Sequence, residues 1–217
     1  MAAIVEAFYD FRSPYAYLAA HRIREGLFVP PVSVDWLWRP VSIDILLNLQ
    51  AGRDAWADYV DPLCAPKRKN LVADVRRTAE FYGAPLRAPN PPRQSSIVAL
   101  CVAGMLEPAA HEIFRNSIFD AMWQNQTNIA DPETLKTCLA GTESAPELLN
   151  EALSHAARTR LAASTEGAFA RGIFGVPSFV CDGEILFGND RLEMLAWRLG
   201  LKRNGGASAF QIKCRHE

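Results

Sequence analysis

The chain has 217 residues, 49% of them hydrophobic, and a formal net charge of −1. This size allows a packed core, and the near-neutral charge argues against a surface for nucleic acid. Because there is no signal-peptide pattern, and no apolar run nears the roughly 18 residues of a membrane helix, we expect a cytoplasmic protein without a membrane anchor.

The start of the chain predicts one βαβ unit. An apolar strand over residues 3–9 precedes a helix over 14–25, which Gly26 should end. Residues 32–38 then alternate apolar and polar side chains, as a half-buried strand does. The two strands should be parallel, with a right-handed crossover between them.

The composition changes between residues 42 and 172, where Ala, Leu, Glu and Arg dominate and Gly or Pro separates the segments. Helical patterns occupy six segments, at residues 43–50, 66–82, 94–106, 108–124, 132–140 and 145–170. We assign residues 42–172 to an all-helical insertion domain. Several of its aromatic side chains are expected in the core, namely Phe81, Phe114, Phe119 and Trp123.

Strand character returns near the C-terminus. Residues 178–181 and 184–187 flank an Asp-Gly pair, the strongest short signal for a β-hairpin. The element order is therefore β-α-β, a helical insertion, then β-β-α, which is an α/β thioredoxin-like fold. We expect a thioredoxin-like domain formed by residues 1–41 and 173–201, with the insertion making a cleft at one end of the sheet.

A last helix is expected to begin at residues 188–190 and to end at Gly200. Asp190 and Glu193 have the spacing of a capping box at its start. Residues 202–217 show no periodicity, so we expect a loosely ordered tail.

The cysteines predict reduced thiols rather than disulfides. Their number is odd and none forms Cys-x-x-Cys; they are Cys64, Cys101, Cys138, Cys181 and Cys214. Most should be buried as small apolar residues. The four histidines show no ligand spacing, so no metal site is expected.

Ser13 is the most informative residue of the chain. It precedes Pro14 at the predicted corner between the first strand and helix, the place of an N-cap. Thioredoxin-type proteins carry the first cysteine of Cys-x-x-Cys at this corner. A helix N-terminus favours an anion, so a serine here could donate a hydrogen bond to an external thiolate, and glutathione is the obvious source. The alternative is that Ser13 only caps the helix.

Val176-Pro177 precedes the third predicted strand and would face Ser13. A cis bond here would leave the backbone of Val176 free to pair with the backbone of a ligand. The alternative is a proline tolerated at the start of an edge strand.

Gly188-Asn189-Asp190 opens the last predicted helix. Free N–H groups would suit a carboxylate and Asp190 an ammonium, which together match the γ-glutamyl end of glutathione. The alternative is a capped helix start. The basic run that begins at Lys67 could anchor a carboxylate, or could simply be a solvated helix face.

The chain resembles the 2-hydroxychromene-2-carboxylate isomerases and the kappa-class glutathione transferases, within the DsbA-like thioredoxin superfamily. The resemblance spans about residues 3–200. It rests on four motifs in the same order: Asp10-Phe11-Arg12-Ser13-Pro14-Tyr15-Ala16-Tyr17-Leu18, Trp38-Arg39-Pro40, Phe174-Gly175-Val176-Pro177 and Phe187-Gly188-Asn189-Asp190-Arg191-Leu192.

The resemblance implies that Ser13 is the catalytic serine, which activates the thiol of glutathione. It also implies that Val176 pairs with the cysteinyl backbone. The full set of residues expected to bind this cofactor is Ser13, Tyr15, Val176, Pro177, Gly188, Asn189 and Asp190.

The insertion departs from the family pattern. Lys67 and Asp74 keep the spacing of the isomerases, but Asn70 stands where tyrosine is expected. Arg53 stands where kappa-class members tend to have asparagine. Arg53 and Lys67 are the candidates to bind the carboxylate of the substrate or of glutathione, and the departures leave the substrate open.

These features predict a glutathione-dependent isomerase that acts as a homodimer, as the family implies. The thiolate would add reversibly to a conjugated aromatic carboxylate, a C–C bond would rotate, and elimination would regenerate glutathione. A kappa-like transferase or peroxidase is the nearest alternative, and it would consume glutathione. A non-catalytic binding protein of the same fold is the alternative from another class. The lack of Cys-x-x-Cys argues against a disulfide oxidoreductase.

Overall fold

The computed structural model of this protein describes residues 2–142 and 147–203. Four strands in this part form one mixed sheet in the order β2-β1-β3-β4, with β1 at Ala3–Tyr9, β2 at Val34–Pro40, β3 at Ser178–Cys181 and β4 at Glu184–Phe187. β1 and β2 are parallel, and the other two pairs are antiparallel. The α/β thioredoxin-like fold predicted from the sequence is confirmed.

The pairing register determines which loops meet. Phe8 near the end of β1 pairs with Arg39 of β2 on one side and with Ser178 of β3 on the other. The end of β1 thus lies beside the start of β3, because these two strands run in opposite directions. The loop that leads from β1 to Ser13 therefore meets the segment that contains Pro177.

Helix α1 (Pro14–Arg24) follows β1, and further helices fill the segment between β2 and β3. They are α2 (Ile43–Gln50), α3 (Ala65–Phe81), α4 (Ile97–Ala103), α5 (Pro108–Trp123), α6 (Pro132–Ala140), α7 (Glu147–Ala152) and α8 (His155–Ala170). None of the helices in the described ranges is long and apolar enough to cross a membrane.

Two helix predictions in this block need correction. In the described part of the segment 145–170, residues 147–170, there are two helices, because the Ser154 side chain accepts a hydrogen bond from the N–H of Ala157 at 3.1 Å and starts α8. The segment 94–106 is helical only at its centre, since the side chain of Gln94 accepts a bond from the backbone of Ile129 at 2.7 Å instead.

The C-terminal segment also differs from its prediction. A short 3₁₀ turn (Asn189–Arg191) precedes α9 (Leu192–Arg203), which continues past Gly200. Because Asp190 lies inside that turn and Gly188 lies at its N-cap, no side-chain capping bond starts the turn, and the predicted capping box is wrong. Residues 202 and 203 belong to α9, and the rest of the expected tail, 204–217, lies outside the described residues.

The core of the described residues has three clusters, and α1 packs into two of them, a helical part and a sheet part. Tyr17 of α1 packs with Phe114 and Phe119 in the helical part. Ala19 of the same helix packs with Phe179 of β3 in the sheet part. Because α1 is held from both sides, Ser13 at its N-terminus has a well-defined position.

Candidate active site

Ser13 lies at the corner between β1 and α1 and is only 4% exposed. Its Oγ accepts a hydrogen bond from the N–H of Ala16 at 3.2 Å, so it caps the helix as predicted. The same hydroxyl donates to the carbonyl of Val176 at 3.1 Å. It therefore stands at the positive end of the helix, where an anion is stabilised.

A buried carboxylate holds the loop before this serine. Asp10 is 0% exposed and accepts hydrogen bonds from the N–H groups of Arg12 at 2.9 Å and Ile43 at 2.8 Å. Burial raises the pKa of Asp10. The indole of Trp123 donates to the carbonyl of Phe11 at 2.8 Å. The helical segment, through α2 and α5, therefore helps to position the corner at Ser13.

The Val176–Pro177 bond is cis and lies opposite this corner, which agrees with the first of the two alternatives that the sequence left open for this proline. Gly175, just before it, packs under the ring of Phe187, where an added Cβ would come within 2.6 Å of a ring carbon. The hydroxyl of Ser178 donates to the carbonyl of Gly175 at 2.7 Å. These contacts hold the segment so that the Val176 carbonyl faces the corner.

The loop at Gly188 is joined to the same segment, since its N–H donates to the carbonyl of Pro177 at 2.9 Å. Gly188 has a φ of 111°, and an added Cβ would collide with the carboxylate of Asp190, so the position requires glycine. Asn189 is buried, whereas the side chain of Asp190 is 71% exposed and lies 3.2 Å from Arg191. The loop therefore presents the Asp190 carboxylate to solvent.

A buried arginine that the sequence analysis did not single out lies behind this loop. Arg22 of α1 is 1% exposed, and its Nη1 donates to the carbonyl of Asn189 at 2.9 Å and to its Oδ1 at 3.2 Å. Nη2 pairs with Glu193, and the guanidinium lies 3.8 Å from the ring centre of Tyr82. Arg22 thus connects the loop to the helix that carries Ser13 at its N-cap.

Helix α3 forms the opposite wall. The hydroxyl of Tyr15 donates to Asp74 at 2.5 Å, and this bond holds the pKa of the carboxyl below its usual value. Arg77 lies 3.2 Å from the same carboxylate. Phe81 is 80% exposed on this wall, so its predicted place in the core is wrong: it is the last residue of α3 and faces an opening instead of a neighbouring helix.

These walls enclose a cleft of about 770 Å³. Its lining includes Tyr15, Val176, Pro177, Gly188, Asn189 and Asp190, all singled out from the sequence. Ser13 lies directly behind the lining, one hydrogen bond from Val176. The structure therefore brings seven sequence-selected residues to one place, with a volume that suits a small-molecule ligand.

The two basic candidates on the insertion lie elsewhere. Arg53 donates to the carbonyl of Asp58 at 3.2 Å, and Lys67 is exposed on α3; neither is in the lining of the cleft. The arginines of the lining are Arg77 and Arg191, which pair with Asp74 and Asp190 of the same lining. The sequence analysis gave neither arginine a binding role, although Arg191 lies in the last family motif, because nothing local separates the two from other solvated arginines.

The described cysteines lie outside the lining of the cleft. Cys101, Cys138 and Cys181 are buried, and Cys64 is exposed; Cys214 lies outside the described residues. Burial raises the pKa of the Cys138 thiol to about 11, which makes it a poor nucleophile. Within the described ranges, no group of three or more His, Cys, Asp or Glu residues could hold a metal ion.

Comparison with known proteins agrees with this geometry. A family model described as a DSBA-like thioredoxin domain matches residues 4–200. The 2-hydroxychromene-2-carboxylate isomerase of Pseudomonas putida is 29% identical over 215 residues, which cover 91% of this chain and 94% of that protein. Human glutathione S-transferase kappa 1 is 34% identical over 223 residues, 93% of this chain and 92% of that protein.

A solved structure agrees as well. The solved structure of a 2-hydroxychromene-2-carboxylate isomerase superimposes with a TM-score of 0.75 at 25% sequence identity. The superposition covers 93% of this chain and 97% of that one. The likeness therefore includes the helical segment as well as the sheet.

Proposed function

This chain belongs to the DsbA-like thioredoxin family, and from that premise we propose that it is a glutathione-dependent isomerase of the 2-hydroxychromene-2-carboxylate type. Its relatives are named as isomerases and as glutathione transferases, which supports the proposal that this protein is an enzyme. The observation that carries the proposal is the hydroxyl of Ser13, at the N-terminus of α1 and 3.1 Å from the Val176 carbonyl.

Glutathione would bind by exchanging one hydrogen bond. The Ser13 hydroxyl has one proton, which it now donates to the carbonyl of Val176. The cysteinyl N–H of glutathione then donates a hydrogen bond to that carbonyl, as the backbone of an added β-strand would. The hydroxyl then turns to the sulfur, and together with the end of α1 it lowers the pKa of the glutathione thiol.

The γ-glutamyl end fits the loop at Gly188. The ammonium binds the exposed carboxylate of Asp190. Because the N–H of Gly188 is already bonded to Pro177, the γ-glutamyl carboxylate is held by the N–H groups of Asn189 and Asp190.

The bound thiolate acts as a borrowed nucleophile. It adds to a conjugated carbon of an aromatic carboxylate, the adjacent C–C bond rotates, and elimination returns the thiolate. No atom is gained or lost, so glutathione acts as a cofactor. Arg53 and Lys67 stay candidates to bind the carboxylate of the substrate or of glutathione, although neither lies in the lining of the cleft.

The proposal is tested by a matched pair of serines. Ser13 and Ser42 both cap a helix through the side chain, α1 and α2, and both are buried. Each change to Ala should cost about 1 kcal/mol of stability. Only Ser13→Ala should lower turnover, about tenfold or more, because a bond to a charged sulfur contributes about 1.5–3 kcal/mol.

The ultraviolet absorbance of the bound thiolate, followed against pH, gives a second readout. Ser13→Ala should raise the pKa of bound glutathione, and Ser42→Ala should leave it at the wild-type value. Equal turnover and equal thiolate pKa in the two variants would contradict a catalytic role for Ser13.

A transferase of the kappa type is the second candidate, supported by the 34% identity to the human protein. The two reactions differ in stoichiometry, since a transferase consumes glutathione and an isomerase does not. Chromatography of the reaction mixture separates the two: an isomerase leaves free glutathione constant while the substrate disappears. Binding of glutathione without ionisation of its thiol would instead indicate a binding protein.

The proposal also includes a cytoplasmic homodimer. A reducing compartment supplies the glutathione and keeps buried thiols such as Cys101 and Cys138 reduced. Light scattering during gel filtration of the full chain measures the assembly directly, and a single monomer mass would contradict the dimer.

A further inference from the structure

A second cleft, of about 820 Å³, lies at the edge of the sheet. One wall is the whole of β2, which pairs with β1 on its other side, and the facing wall comes from α4, α5 and α8. Trp36 and Trp38 belong to the β2 wall, with ring centres 6.1 Å apart, and Leu106 also lines the cleft. None of its lining residues also lines the cleft near Ser13.

Positive charge prevails in the lining of this second cleft. The charged lining residues are Arg24, Arg39, Arg115 and Arg160, against Asp35 and Glu112. His111 adds no charge at neutral pH, because burial lowers its pKa to about 4 and its Nε2 is bonded to the hydroxyl of Tyr9 at 2.8 Å.

Arg115 differs from the other arginines of this lining. Arg24, Arg39 and Arg160 each lie within 3.3 Å of a carboxylate. The carboxylate paired with Arg115, that of Glu112, is 3.8 Å away and exposed.

The charge of Arg115 is also poorly satisfied within the fold. The residue is 3% exposed, and its Nε and Nη1 are buried without a hydrogen-bond partner. Nη2 donates to Asn116 at 3.1 Å, and the guanidinium lies 4.0 Å from the ring centre of Trp38. A buried cation in this state is weakly screened, so it attracts an anion that enters the adjacent space.

We propose that this cleft is a second ligand site, separate from the glutathione cleft, for a small molecule that carries a carboxylate or sulfonate on a flat aromatic body. The tryptophans of β2 contact the aromatic body, and Arg115 supplies the counter-charge. The volume lies in the usual range for small-molecule sites.

The test uses two fluorescent probes with the same aromatic body. 8-Anilinonaphthalene-1-sulfonate carries the anion, and N-phenyl-1-naphthylamine lacks it. The variants are Ser164→Glu and Ser164→Gln, since Ser164 is exposed and lines the second cleft. The two substitutions have nearly the same shape and differ in charge.

The sulfonate should bind Ser164→Glu about three- to tenfold more weakly than Ser164→Gln, because the new carboxylate repels it. The neutral probe should bind both variants equally. Thr78→Glu places the same charge in the other cleft and should leave the affinity for the sulfonate unchanged. Saturating glutathione should not displace the sulfonate.

Arg115→Met tests the proposed counter-charge directly, provided that the near-ultraviolet circular dichroism of the variant is native. The sulfonate should then bind at least about tenfold more weakly than to the wild type. The inference is overturned if the sulfonate fails to bind the wild type, if it binds both Ser164 variants equally, or if glutathione displaces it. The last outcome would move the anion site to the cleft near Ser13.

Discussion

Arg22 and Arg115 are both almost fully buried, at 1% and 3% exposure, and each lies against an aromatic ring, Tyr82 in one case and Trp38 in the other. Their hydrogen bonding differs. Arg22 leaves only Nε without a partner, whereas Arg115 leaves both Nε and Nη1.

The two arginines show that a buried charge can either stabilise the fold or remain available to a ligand. The contacts of Arg22 join two elements that are distant in the sequence, so the charge is used within the fold. Arg115 contacts Asn116 on its own helix and leaves its charge available to a neighbouring space. Burial alone therefore does not distinguish a structural arginine from one that can attract a ligand.

The largest effect is expected from Arg22→Met. The oxygens of Asn189 would lose their buried donor, so the free energy of unfolding should fall by about 2–4 kcal/mol. Denaturant unfolding measures this fall, and Arg22→Lys is the control, because it keeps the charge and loses the second donor group. Affinity for glutathione should fall more in Arg22→Met than in Arg22→Lys. Wild-type stability in Arg22→Met would end the distinction between the two arginines.

His111, which lines the second cleft together with Arg115, should make the stability of the protein depend on pH. Burial lowers the pKa of His111 to about 4, so in the folded state it stays neutral while the unfolded chain takes up a proton below about 6.5. Stability is therefore complete above that pH and is lost as the pH falls from about 6.5 to 4, by at most about 3 kcal/mol.

His111→Gln serves as the comparison for this pH effect, since the amide can still bond to Tyr9. Thermal unfolding from pH 7 to pH 4 should show a smaller loss in the variant. An equal loss in both proteins would assign the acid sensitivity to other groups.

A smaller effect is expected at the loop that Arg22 supports. Asp190→Asn removes the charge that binds the ammonium of glutathione, so affinity should fall about three- to tenfold. The melting temperature should barely move, because the side chain is exposed. Calorimetry with glutathione and with an analogue that lacks the amino group provides the control, and the analogue should lose less. Unchanged affinity for glutathione would show that the loop does not bind the γ-glutamyl end.

Arg115→Met should have a much smaller effect on stability than Arg22→Met. Removing a poorly paired buried charge should change the free energy of unfolding by no more than about 1 kcal/mol, in either direction. The same denaturant experiment as for Arg22 measures it. A loss as large as that of Arg22→Met would make Arg115 a structural residue of equal weight.

Much of the candidate site could be predicted because its signals are local. Ser13 before Pro14 marks a helix start in any context, and Gly188-Asn189-Asp190 marks the opening of the last helical segment. The family motifs then relate these positions to glutathione. The exposed face of Phe81 could not be predicted, because an aromatic residue at the end of a helix reads as core until the neighbouring elements are known.

The order of the elements, the thioredoxin-like fold and the corner at Ser13 could be predicted from local patterns, since hydrophobic periodicity and capping act over a few residues. What surrounds that corner, and which arginines are buried, depends on the tertiary packing. The contact between Arg22 and Asn189 joins residues 167 positions apart. Such contacts depend on how whole elements pack, and no local pattern encodes the partner of a side chain at that distance.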